Sequence, residues 1–474
     1  MSNFFPRLFA ILMIVFLMMT SARADEIDNI VSAEMNRQYI PGLSIAVVKD
    51  GRAIIERGYG LANVELGAKV SPKTVFQTGS IGKQFVASLV LLLAQEGKIN
   101  LDGPISTYLP SAPATWGKIT VRQLLSHTSG IGRVDQAIDL RRDYTEEELL
   151  ASAFKVPLLS APGEALLYSN LGYQILGILC SRVGGKFYGE QLRERLFAPS
   201  GMQARIISER DIVPGRAAGY DRVDGLLLNQ QWVAPSLNTT GDGSLYVTAD
   251  DMARWGIALD GNNILNQSIK DTLWTPAHLN NGKAVGYGLG WRVFSDNGRR
   301  SVRHRGDWQG FTSHILHFPD DRLTITVLIN RSNAQPQVIA DNIAAHYIPA
   351  LKKPPTTPPT AALLSATPIF VRSNLSDWKT RGRLQVVEPS IYQVDVTLTA
   401  GMFGFSISSE NDAVDFGAAF DEAVTILNSA KKLIHGGDEM FLDIAKPGVY
   451  TFRFDARSLS SPILTVTPST TAGS

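Results

Sequence analysis

Apolar positions change their spacing several times between Asp25 and about Ala350, and each change marks an element. Ile27 to Tyr39 places its apolar residues at helical intervals, which predicts an amphipathic helix. The run Gly42-Leu43-Ser44-Ile45-Ala46-Val47-Val48 is short, apolar and β-branched, so it reads as a buried strand. Asp50-Gly51 then predicts a hairpin turn into Ala53–Gly60. Near the other end, His314–Phe318 and Leu323–Ile329 read as a second strand pair, turned by Pro319-Asp320-Asp321. Strands at both ends with helices between them predict an α+β fold. Its antiparallel sheet is closed by the two chain ends and flanked by helices, with a helical region inserted.

The pattern changes again after residue 350. Lys352 to Pro359 holds four prolines and a lysine pair, so residues 351–368 are expected to form an extended linker. Beyond it, Ile391–Leu398, Phe403–Ile407 and Val449–Asp455 alternate with period two, predicting a small all-β sandwich over residues 369–468. The larger domain would then occupy residues 25–350. At the N-terminus, Arg7 precedes an apolar run, Leu8 to Thr20, and Ala22-Arg23-Ala24 comes next. That combination reads as a signal peptide over residues 1–24, cleaved near Ala24, and places the protein in the periplasm or outside the cell. The apolar run falls short of the roughly 20 residues a spanning helix needs.

Composition adds exclusions more than assignments. The chain carries 45 basic and 44 acidic residues; without Arg7 and Arg23 the balance is 43 to 44, a net charge of −1. Such a balance gives no reason to expect nucleic acid or an anionic membrane surface as a partner. Cys180, the single cysteine, cannot form an internal disulfide, and its apolar surroundings predict a buried thiol.

Three short segments carry candidate chemistry. Ser80-Ile81-Gly82-Lys83 opens an apolar run, so on a helix the hydroxyl and the ammonium share one face. A serine hydroxyl becomes a nucleophile when a neighbouring base takes its proton, and a partly buried lysine can be that base. Tyr168-Ser169-Asn170 offers a phenol that can relay a proton and an amide that can hold a lysine and a substrate together. His304-Arg305-Gly306 lies on a strand-like stretch, where a glycine lets substrate approach the strand edge and a backbone N–H meet an oxyanion.

In this order the three segments resemble the serine β-lactamase and penicillin-binding protein superfamily, specifically its class C-like (peptidase S12) branch. The resemblance runs from about residue 27 to 345. It includes two scaffold phrases, Gln123 to Gly130 and Ser244 to Ala253, in which His127 reads as a structural loop residue and Thr248 as a helix cap. The resemblance implies Ser80 as the acylated nucleophile, with Lys83 as its proton acceptor or the group that keeps a phenolate available. Tyr168 would pass the proton to the leaving group, Asn170 would fix Lys83 and the substrate amide, and the N–H groups of Ser80 and Asp307 would form the oxyanion hole. His304, Arg305 and Gly306 would line the substrate site. Acyl transfer of this kind calls for no cofactor and no metal.

The box at residues 304–306 departs from the lysine-threonine-glycine of class C β-lactamases, and histidine there is common among peptidases, amidases and esterases of the branch. Arg305 is the unusual residue. Directed into the cleft, it could bind a substrate carboxylate such as a D-alanine terminus; otherwise it pairs with Asp307 or another acid. The expected function is therefore an exported serine hydrolase acting on a small-molecule or peptide amide or ester. D-alanyl peptide carboxypeptidase or amidase leads, carboxylic-ester hydrolase comes second, and a β-lactamase comes last. A non-catalytic penicillin-binding or cell-envelope-binding protein is the alternative. The segment Phe370–Trp378, with Asp415-Phe416-Gly417, resembles the immunoglobulin-like modules appended to starch-degrading enzymes, although Ser373 and Ser376 stand where those modules tend to have glycine and asparagine. That resemblance implies a cell-wall or glycan contact, with a structural or docking role as the alternative.

Overall fold

The computed structural model describes residues 26–132, 138–206, 210–223, 225–352, 360–373, 382–399, 401–410, 414–418, 424–425, 427–435, 440–444, 446–459 and 461–469. The expected signal peptide, the proline-rich core of the linker and Trp378 lie outside them. The chain divides into two compact units, Met1–Lys352 and Lys353–Ser474.

The first unit is built on a seven-stranded antiparallel sheet in the order β3-β2-β1-β11-β10-β9-β8. Its strands are β1 (Gly42–Lys49), β2 (Arg52–Asn63), β3 (Ala68–Lys69), β8 (Arg292–Asp296), β9 (Arg299–Trp308), β10 (Phe311–Phe318) and β11 (Leu323–Ile329). Short pairs β4 (Phe76–Gln77) with β7 (Tyr246–Val247), and β5 (Tyr220–Val223) with β6 (Leu226–Asn229), lie off it. The helices are α1 (26–38), α2 (Gly82–Gln95), α3 (Val121–Leu125), α4 (Glu146–Ala153), α5 (Asn170–Gly184), α6 (Tyr188–Leu192), α7 (Ala249–Asp260), α8 (Gln267–Trp274) and α9 (Pro336–Tyr347).

The chain ends do close the sheet: β1 pairs with β11, with Ala46 opposite Thr326. The Asp50-Gly51 turn forms as expected, both residues having positive φ (52° and 72°), as a tight hairpin turn requires. β1 reads as an apolar run because both its faces are covered. Leu43, Ile45 and Val47 pack in one core with Ile339 and Ile343 of α9. Ala46 and Val48 meet Ala249 and Ala253 of α7 on the other side. Thr248 caps α7 through a reciprocal capping box with Asp251. Cys180 is buried, and burial pushes its thiol up to about 12.

Helix α2 sets the position of the Ser80 segment. Phe85, Val86, Leu89, Val90, Leu91 and Leu93 are buried around nearly its whole circumference, the mark of a helix inside a core. Phe85 lies 4.6 Å from the Trp255 ring and 5.4 Å from Phe197. Trp255 Nε1 donates to Gln84 Oε1 at 2.9 Å. The helix that begins just after Ser80 therefore cannot shift without disturbing packed aromatic rings.

Among the described residues the second unit is all-β apart from α10 (Ala361–Ala366). Its strands are β12 (Phe370–Ser373), β13 (Gln385–Glu388), β14 (Ile391–Leu398), β15 (Gly401–Ser408), β16 (Asp415–Ala418), β17 (Val424–Thr425), β18 (Ala430–His435), β19 (Met440–Ile444), β20 (Gly448–Asp455) and β21 (Ile463–Pro468). The two halves of this curled sheet join through β18, whose first residues pair with β21 and whose last pair with β16. A strand that changes partners midway is how a sheet turns a corner. The alternating residues read from the sequence point into one core, where Phe405 packs 5.1 Å from Phe452 and Phe416 5.3 Å from Phe454.

Candidate active site

Ser80 sits half-buried in a short turn, Gly79–Ile81, that leads from β4 into α2. Two glycines let strand β9 come down onto this turn. Gly79 has φ +56°, and a Cβ there would lie 2.6 Å from Asp307 N. A Cβ on Gly306 would lie 1.8 Å from Thr78 O. Neither approach is open to a larger residue. Ser313 Oγ of β10 completes the junction, donating to Thr78 O at 2.5 Å. The backbone of Asp307 is thus held beside Gly79, the residue preceding Ser80.

Lys83 is fully buried, 0% exposed, one helical turn beyond Ser80. Its Nζ donates to Ser80 Oγ at 2.9 Å, Asn170 Oδ1 at 2.8 Å and the Asp242 carbonyl at 2.5 Å. Three donated N–H groups are what an ammonium has to give. Asn170 is held because Ser169 caps α5, its Oγ accepting from Gly172 N at 3.2 Å and donating to Gly132 O at 2.9 Å. Tyr168 stands at the rim, 38% exposed, with Lys83 Nζ 5.1 Å from its ring centroid. Among the described residues no hydrogen bond joins its hydroxyl to Ser80 or Lys83. The structure thus brings together Ser80, Lys83, Asn170 and the Tyr168 ring.

Behind Tyr168 stands a wall of three side chains whose protons can be assigned. Ser169 N–H donates to His127 Nδ1 at 3.0 Å, so the His127 proton is on Nε2, 3.2 Å from Tyr287 Oη. His304 Nδ1 faces the Arg305 carbonyl at 2.6 Å, which can only accept, so His304 Nε2 accepts from Tyr287 O–H at 2.8 Å. Every ring nitrogen is then used. Burial, reinforced by the Lys83 ammonium, pushes the His304 imidazole down to about 3 and holds His127 well below its ordinary value. The His127 ring lies 4.1 Å from the Tyr168 ring, fixing its plane.

The remaining residues of the β9 box fall differently from one another. His304, read as a substrate-site residue, is 2% exposed with both nitrogens held by protein. Arg305 takes the second of its two expected courses: Nε and Nη2 donate to Asp307 at 2.7 and 2.6 Å, and Nη1 to Gln337 of α9 at 3.0 Å. Sequence reasoning did not find Tyr287, Gln337 or the Asp242 carbonyl. For Tyr287 a signal existed, the glycine-spaced phrase Gly286-Tyr287-Gly288-Leu289-Gly290. For the Asp242 carbonyl there was none, since every residue carries one.

A serine in the turn that opens a core helix, a lysine bonded to it and a cap-held asparagine define a class of serine acyl-transfer enzymes. The beta-lactamase family model matches residues 27–348. This chain belongs to that family and is a serine hydrolase of the β-lactamase and penicillin-binding protein superfamily. It is similar to penicillin-binding protein 4* of Bacillus subtilis (24% identity over 61% of this chain and 68% of the relative). The curated relatives first matched are spanned over 64–68% of their length. Among solved structures, the octameric penicillin-binding protein homologue from Pyrococcus abyssi superposes with a TM-score of 0.64 at 21% identity, over 93% of this chain and all of that one. The D-amino acid amidase from Ochrobactrum anthropi SV3 superposes with a TM-score of 0.61 at 24% identity, over 70% of this chain and all of that one. Among the described residues no helix is long and apolar enough to cross a membrane.

Proposed function

We propose that this chain is an exported hydrolase that opens an amide bond through a Ser80 acyl-enzyme, with D-aminoacyl amides as its leading substrates and carboxylic esters next. The observation that carries the reading is the set of three hydrogen bonds that Lys83 donates to Ser80, Asn170 and the Asp242 carbonyl. A protein that only bound ligand would have no use for a lysine committed in this way to a serine hydroxyl. Residues 1–24, read as a signal peptide, support export, and the fold shared with a D-amino acid amidase supports an amide substrate.

In this mechanism Ser80 Oγ attacks the carbonyl carbon as its proton passes to the Lys83–Tyr168 pair, in which Lys83 is the group bonded to Ser80 Oγ. The carbonyl oxygen takes the developing charge between the N–H groups of Ser80 and Asp307. Tyr168 then delivers the proton to the leaving nitrogen, the C–N bond breaks, and water repeats the sequence to free the acid. Asn170 aligns Lys83 and the substrate amide throughout.

The test is release of ammonia from D-alaninamide and D-phenylalaninamide by the mature protein, beside a Ser80→Ala variant. We expect turnover that falls by about 10³-fold or more in the variant. Equal rates with and without the hydroxyl would sink the assignment.

A further inference from the structure

We propose that Asp307 makes this site select acyl donors whose leaving group is uncharged, by withholding Arg305 from substrate. The proposal deepens the hydrolase reading and rests on it. β8 pairs with β9 only through Arg303, so among the described residues no strand covers β9 from His304 onward, and the Gly306-Asp307 backbone of the box lies against the Ser80 turn at that open edge. A leaving-group carboxylate placed there would look for a donor. His304 has none to give, since Tyr287 and the Arg305 carbonyl take both nitrogens. Lys83 is committed to three acceptors.

Arg305 is left, and its charge is matched. Asp307, two residues along and on the same face of the strand, grips it through both carboxylate oxygens. The partners differ in exposure: the Asp307 side chain is 52% accessible and the Arg305 side chain 20%. An approaching anion therefore meets the carboxylate before the guanidinium. An ion pair at a rim changes discrimination through repulsion as much as through attraction. An amide or an alkyl or aryl ester with a neutral leaving group meets no such penalty. One further cation comes near: Arg292, exposed and opposite Arg303 in β8, has a field that reaches His304.

The acetyl esters of 3-hydroxybenzamide and 3-hydroxybenzoate have leaving groups of nearly the same shape and different charge, and the full chain is assayed on both by kcat/KM, each value divided by the ester's spontaneous hydrolysis rate. We expect the neutral ester to be favoured by about tenfold. Asp307→Asn keeps the backbone N–H, removes the carboxylate charge that matches the guanidinium and should narrow that ratio about tenfold through faster use of the acidic ester. Arg305→Gln leaves the carboxylate unmatched and should widen it, so the two variants move in opposite directions even if one folds poorly. Turnover with a ratio unmoved in both variants overturns the proposal. So does a wild-type preference for the acidic ester; if Arg292→Gln abolishes that preference, the anchor is Arg292. Loss of Ser80-dependent turnover on both esters overturns the hydrolase reading, and this proposal with it.

Discussion

Alternate residues of one strand, β9, show two different ways of using polar groups. His304 and Gly306 face the nucleophile turn and the Tyr287 wall, where every ring nitrogen is bonded and a methyl group has no room. Arg305 and Asp307 face α9 and solvent, joined in a pair that water still reaches. Buried polar groups must be satisfied within the protein, so the inner set is fixed in number, position and protonation. A half-exposed ion pair contributes little to stability and can be altered without harm to the fold. The inner face holds the chemistry in place, and the outer face is free to set which substrates suit it.

Breaking the inner face should therefore cost far more than editing the outer one. Gly306→Ala places a methyl where Thr78 O already stands, forcing β9 away from the Ser80 turn. We expect activity to fall by at least about 10²-fold, with stability reduced by about 1–3 kcal/mol; kcat/KM and a denaturant melt report both. A variant as active as wild type would show that the junction has slack that a 1.8 Å approach does not suggest.

Next comes Tyr287→Phe, which removes the hydroxyl that links His127 to His304 and leaves a buried acceptor and a buried donor unpaired. We expect a loss of about 1–3 kcal/mol in stability and a fall in kcat with KM little changed, because Tyr168 loses its fixed ring plane. An equal fall on acidic and neutral esters would separate this role from that of Asp307. A changed ester ratio would blur the division between the two faces.

The last effect is distributed over the fold and is read by pH, with no substitution. Burial holds His304 and His317 down to about 3, and His127 and His314 well below their ordinary value, so all four stay neutral. The unfolded chain protonates these histidines near the ordinary value of about 6.5, so below that pH it binds more protons than the native state. Stability is then fully present above about 6.5 and lost as pH falls toward 3, by at most about 1.4 kcal/mol per pH unit for each histidine. Melting temperatures between pH 7 and 4 check the direction; stability rising on acidification would contradict the neutral wall.

Much of this was legible in the chain itself. The closing strand pair, the Asp50-Gly51 turn, the Thr248 cap, the buried Cys180 and the period-two strands after residue 390 all come from local spacing and turn chemistry. The Ser80, Lys83 and Asn170 set was legible because its residues stand next to helix starts, where the fold fixes direction over a few residues. What the tertiary structure decided lies in contacts between distant segments. Tyr287 joins a histidine 160 residues away to another 17 residues away, and no local pattern encodes such a pairing. Arg305 had two partners open to it in the sequence, and which one it took depended on where α9 brought Gln337. Spacing along a chain states which groups share a face; only packing states which of them are already occupied, and a donor that is occupied cannot serve a substrate.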